Sequence, residues 1–95
     1  MGFEYKIQIA SMNPEAFDGF LRNSPFFAEY DERYRLYNLR MPGNATEPGM
    51  PDASVKLEAD GIYLCQYQAG RREAILQLLM EEARRQSNEV TLEEL

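Results

Sequence analysis

The chain contains no histidine and only one cysteine, Cys65. Without histidine the usual general base is missing, and with it the Ser-His and Cys-His nucleophile pairs and the commonest metal ligand. That counts against most hydrolases and metalloenzymes, so no catalytic residue, metal site or cofactor is expected. A lone cysteine cannot form an internal disulfide, and the fold must be held by its core, as in a reduced intracellular protein. The opening residues, MGFEYK, lack the basic and continuously apolar regions of a secretory signal, and no run approaches the roughly 18 apolar residues of a membrane span. The expectation is a cytoplasmic protein with no membrane partner. Basic charge is scarce as well: ten Lys and Arg stand against sixteen Asp and Glu, a net charge of −6. Such a balance opposes attraction to phosphate backbones and anionic lipids, which makes nucleic acid a disfavoured partner.

What is present fits one small globular domain. Ninety-five residues, 44% of them hydrophobic, suit a single core. A chain of this size buries roughly 60 to 65% of the surface its unfolded form exposes, enough to fold alone but not to enclose a deep composite active site. Residues 1–88 are read as the domain and residues 89–95 as an acidic terminal segment, either an edge strand beside the first strand or a frayed tail.

Hydrophobic periodicity organises the chain. Phe3, Tyr5, Ile7 and Ile9 alternate with polar neighbours, which predicts a half-buried strand. Asn13 before Pro14 reads as an N-cap followed by proline at the first helical position, and Phe17, Phe20 and Leu21 supply a helical stripe that ends near Ser24-Pro25. Phe26 and Phe27 read as anchors of a connection. A second strand is expected over 34–41, where Tyr34 and Leu36 share one face while Tyr37, Leu39 and Met41 share the other. That change of phase implies a bulge near Leu36 or a strand covered on both faces. Residues 42–52, PGNATEPGMPD, carry three prolines and two glycines and form the one long loop.

Val55, Leu57 and Ala59, then Ile62 and Leu64, alternate on either side of Asp60-Gly61, a hairpin signal. A two-residue turn there pairs Ala59 with Ile62, places Glu58 opposite Tyr63, and sets Lys56 opposite Cys65 and Ser54 opposite Tyr67. Helical spacing returns over 71–86, with Ile75, Leu76, Leu79, Met80 and Ala83 as the stripe and Glu81 paired to Arg85. The expected fold is therefore an α+β two-layer sandwich: an antiparallel sheet of four to five strands, order β-α-β-β-β-α with a possible final strand, and two helices on one face. This architecture is ferredoxin-like in the broad sense, a likeness that carries no function.

Three features invite a functional reading. Tyr63 and Tyr67, with Lys56 and Cys65, share the outer face of the hairpin, and Tyr34 or Tyr37 can extend an aromatic platform; exposed tyrosines are typical anchors of protein interfaces. Stacked bases of single-stranded RNA are an alternative that the acidic charge disfavours. Cys65 becomes a reactive thiol only if a cation such as Lys56 lowers its pKa; otherwise it is a packed structural residue. Gly70, Arg71 and Arg72 open the second helix, where backbone N–H groups and two guanidinium groups can hold a small anion, although the spaced glycines and lysine of a phosphate loop are missing. The Glu81, Glu82, Arg84 and Arg85 cluster reads as a solvated helix face. The expected function is a non-catalytic module that binds a protein partner or a second copy of itself through the outer sheet face and the 42–52 loop. The alternatives are a small-anion or small-ligand sensor at Gly70-Arg71-Arg72 and, behind both, an enzyme.

Overall fold

The computed structural model describes residues 3–40, 51–67 and 72–95. Within them the chain runs β1 (Phe3–Ile9), α1 (Pro14–Arg22), β2 (Phe27–Asp31), β3 (Leu36–Leu39), β4 (Ala53–Glu58), β5 (Gly61–Gln66), α2 (Arg72–Gln86) and β6 (Val90–Glu94). All six strands join one sheet in the order β2-β3-β4-β5-β1-β6, and every neighbouring pair is antiparallel. Strands β2 to β5 form an uninterrupted meander. The helices make the two long connections: α1 carries the chain from β1 to the far edge at β2, and α2 carries it from β5 over β1 to β6.

This arrangement overturns the expected four-to-five-stranded, ferredoxin-like β-α-β-β-β-α sandwich. The fold is α+β, but the sheet has six strands. One added strand is β2, where the sequence pattern shows only a connection. A bulge between Phe27 and Glu29 breaks its register against β3, so the half-buried Phe27 and Tyr30 stand three residues apart and no clean alternation marks the strand. The bulge thus lies on β2, not near Leu36. The apparent phase change disappears for a related reason: β3 begins at Leu36, and Tyr34 belongs to the preceding turn. There the Asp31 carboxylate accepts the N–H groups of Arg33 (2.9 Å) and Tyr34 (3.3 Å), and Arg35 adopts a positive φ of 58°. The possible final strand is present as β6, an edge strand beside the first as one of the two expected alternatives had it, paired with β1 from Tyr5↔Glu94 to Ile9↔Val90.

Local chemistry explains the helices. Asn13 Oδ1 accepts the Ala16 N–H at 3.2 Å and Pro14 occupies the first turn of α1, so two of the N-terminal groups that lack intrahelical partners are dealt with. Phe17 and Leu21 of α1 and Ile75, Leu79 and Ala83 of α2 are buried in one core against Tyr5, Ile7, Ile9, Leu39, Val55, Ile62 and Leu64 of the sheet. Phe20, Leu76 and Met80 pack at its margin. Both helices thus cover the same sheet face. On α2 the ion pair is Arg85 to Glu82 at 3.4 Å, one residue closer than the expected Glu81 partner.

The hairpin of β4 and β5 differs from expectation by two residues. Leu57 faces Ile62, Val55 faces Leu64 and Ala53 faces Gln66, with Ala59 and Asp60 in the turn. An even shift leaves every side chain on its expected face. Gly61 serves a different purpose from a turn residue: at φ +154° it starts β5, and a Cβ there would lie 1.9 Å from the Ile7 carbonyl oxygen on β1. Only glycine permits that approach.

A candidate interaction surface on the outer sheet face

The sheet face away from the helices collects side chains from four adjacent strands. By alternation and register it carries Glu4 and Lys6 from β1, Tyr63 and Cys65 from β5, Ser54, Lys56 and Glu58 from β4, and Asn38 from β3. Tyr67 follows directly after β5, its N–H donating to the Asp52 carbonyl at 3.0 Å. No helix among the described residues covers this face.

Three hydrogen-bonded groups cross it. The Tyr67 hydroxyl donates to Ser54 Oγ at 3.2 Å, and the Ser54 hydroxyl donates to Asn38 Oδ1 at 2.7 Å, linking three strands. The Tyr63 hydroxyl donates to Glu4 Oε1 on β1. Lys6, although opposite Tyr63 on β5 and Glu93 on β6, directs its ammonium elsewhere: Nζ donates to Glu58 Oε1 and, at 2.7 Å, to Asp60 Oδ1. The β5 partner of Glu58 is Gly61, which puts no side chain in the path. Partial burial acts to lower the Lys6 pKa, but the hydrogen bonds and charges of Asp60 and Glu58 outweigh it and raise the value above the ordinary one. The same contact holds the Asp60 carboxyl below the usual range.

The structure brings Tyr63, Tyr67, Lys56 and Cys65 onto this one face. Lys56 is exposed and directly opposite Tyr63; Tyr63 is half-buried, and Tyr67 is 37% exposed. Cys65, half-buried, stands opposite Ser54 and not opposite Lys56. Burial raises its pKa, a contact with Tyr67 works in the opposite direction, and the nearby charge of Glu4 adds to the rise. The thiol is thus the reverse of an activated nucleophile. The wider aromatic platform does not form: Tyr37 is buried beneath α1, and Tyr34, 59% exposed, sits in the turn beyond β3. Gly70 and Arg71 lie outside the described residues, as does the side chain of Arg72, which begins α2. Residues 42–50 of the long loop also lie outside them, as does Met41, the last residue of the expected second strand. Its end at Asp52 is tied to β3 through the Asp52 N–H and Leu39 carbonyl, 2.8 Å apart.

Two further groupings carry little or no mark in the sequence pattern. Lys6, Glu58 and Asp60 are joined only through the register of β1, β5 and β4. On the helix side, Arg22 lies over the rings of Tyr30, Tyr37 and Phe27, with its guanidinium carbon 4.8, 5.7 and 6.0 Å from their centres. Its Nε bonds Asp18 Oδ1 at 2.9 Å, and the same carboxylate accepts the Tyr37 hydroxyl. The i,i+4 spacing of Asp18 and Arg22 was the one signal available for the second grouping. No protein-family model, curated protein or solved structure matches the chain. Among the described residues no group of His, Cys, Asp and Glu side chains is arranged to hold a metal ion, and no helix is long and apolar enough to cross a membrane.

Proposed function

We propose that the protein is a non-catalytic protein-interaction module that binds a partner, or a second copy of itself, through the outer sheet face around Tyr63, Tyr67, Lys56 and Cys65. The observation that carries this reading is the placement of α1 and α2 on one side of a six-stranded sheet, which leaves the tyrosine-bearing face without a helical cover among the described residues. Tyr63 and Tyr67 are held by their hydroxyls to Glu4 and Ser54, so little side-chain freedom remains to be lost on binding. Stiff, amphipathic rings of this kind are favoured interface anchors. A raised thiol pKa at Cys65 supports a packing role within the face rather than a chemical one.

Light scattering on the purified protein and on the Tyr63→Ser/Tyr67→Ser variant tests the reading. A dimer that becomes monomeric in the variant, with circular dichroism unchanged, supports self-association through this face. If the parent is a monomer, a partner captured by it and lost by the folded double variant supports a heterologous interface. Association retained at full strength by the folded variant overturns the proposal.

A further inference from the structure

The two edges of the sheet are unequal. At β2 the bulge interrupts the ladder and Arg22 lies across the strand, two devices that discourage pairing with another chain. At β6 there is neither bulge nor proline over Val90–Glu94. The Leu95 N–H donates to the Glu4 carbonyl at 2.9 Å and the Ala10 N–H to the Glu89 carbonyl at 3.0 Å. By antiparallel alternation, residues 91 and 93 therefore also face β1, and Val90, Leu92 and Glu94 point their N–H and C=O groups away from the sheet. That open row is a template for one more strand.

Charge identifies what fits it. Glu89, Glu93 and Glu94 crowd this edge, and neither Glu93 nor Glu94 forms an ion pair among the described residues. The one cation in register with Glu93 is Lys6, and its ammonium is committed to Glu58 and Asp60. Self-pairing of β6 would bring two such acidic strands onto one seam, where like charges oppose each other. Apolar contact is available beside the acids, since Leu92 is 41% exposed on the helix-side face.

We infer that β6 is a docking edge for a basic, extended segment of another protein, which adds as a seventh strand beside Val90, Leu92 and Glu94 and sets Lys or Arg side chains against Glu93 and Glu94. This site is independent of the outer-face tyrosines, and the two readings fail separately.

The test uses the isotopically labelled protein and a blocked seven-residue peptide of Lys, Thr and Val that carries Lys on both faces of the added strand, because Glu93 and Glu94 lie on opposite faces of the sheet, with a Glu-substituted counterpart as control. The Lys peptide is expected to perturb and protect from exchange the amides of Val90, Leu92 and Glu94, with affinity that falls as salt rises. Leu92→Pro deletes an outward N–H and leaves the ladder to β1 intact, and is expected to weaken binding at least tenfold. Glu93→Gln/Glu94→Gln, which leaves the backbone untouched, is expected to weaken it several-fold and flatten the salt dependence. Lack of β6 perturbation at millimolar Lys peptide overturns the inference. Equal binding of the Glu peptide, undiminished binding by the charge variant, or a dimer joined through β6 does the same.

Discussion

The Arg22 guanidinium carbon sits 4.8 Å above the centre of the Tyr30 ring, and so ties α1 to the bulged edge strand β2. Its neighbour Asp18 accepts the Tyr37 hydroxyl, which fastens the same helix to β3. Tyr37→Phe is expected to lower stability by about 1 kcal/mol, the weak end for a hydrogen bond to a charged acceptor because the Asp18 side chain is 40% exposed. The Tyr37 hydroxyl foremost, and then Arg22, hold the Asp18 carboxyl below its ordinary value of 3.8. A depressed folded-state pKa contributes stability that is present above 3.8 and lost as pH falls through the folded value. Urea titrations across the acid range should therefore show the loss on Tyr37→Phe at neutral pH and its disappearance in strong acid. Combined with Arg22→Ala, a double-mutant cycle should be non-additive. Additivity would show that the two contacts do not act as a unit.

Lys6 links pH to stability at both ends of the scale. Its folded-state pKa is raised, so the contribution is complete below 10.5 and is lost as pH rises through the higher folded value. Asp60, depressed by the same contact, contributes above 3.8 and is lost as pH falls through its folded value. Lys6→Met should therefore lower the melting temperature most in the neutral range and converge with the parent at both extremes. A difference that persists unchanged in strong acid and strong alkali would assign the effect to packing of the lysine stem instead.

Cys65 should be a slow thiol. Burial holds its pKa above the ordinary thiol value, so a smaller fraction is thiolate at neutral pH than in free cysteine, and reaction with a disulfide reagent should lag behind it. Lys56→Ala should leave the rate within about twofold, because Ser54, not Lys56, stands opposite the thiol. A large drop in rate on that substitution would restore the lysine as an activating cation.

Gly61→Ala should be severely destabilising, by about 2 kcal/mol or more, since the added Cβ meets the Ile7 carbonyl oxygen at 1.9 Å and the positive φ is strained for any other residue. Chemical denaturation measures it directly. A loss under about 0.5 kcal/mol would mean that β1 and β5 separate there without penalty.

Legibility in the sequence followed the strength of local signals. The alternation of Phe3 to Ile9, the Asn13-Pro14 cap and the Ile75-Leu79-Ala83 stripe each arise within one element, and each element is present. Strand β2 has no alternating signature because its bulge places Phe27 and Tyr30 out of alternation. The hairpin register escaped because a shift of two residues preserves the pattern, and Asp60-Gly61 imitates a turn while Gly61 answers to a carbonyl on another strand. At the candidate face, the common side of Tyr63, Tyr67, Lys56 and Cys65 was readable from parity alone. The partners of Lys6 and Cys65 were not, since they depend on which residues three separate strands bring together.

The position of β1 also sets the order in which the sheet can close. Of the described strands β1 is made before all the others, yet its neighbours β5 and β6 come after the rest in chain order. The meander from β2 to β5 can zip strand by strand as it appears, whereas Tyr5, Ile7 and Ile9 must wait through all of it before a partner exists. A nascent chain halted before Gly61 therefore holds an apolar, unpaired β1, which is the form of this protein most open to a chaperone or to misassociation.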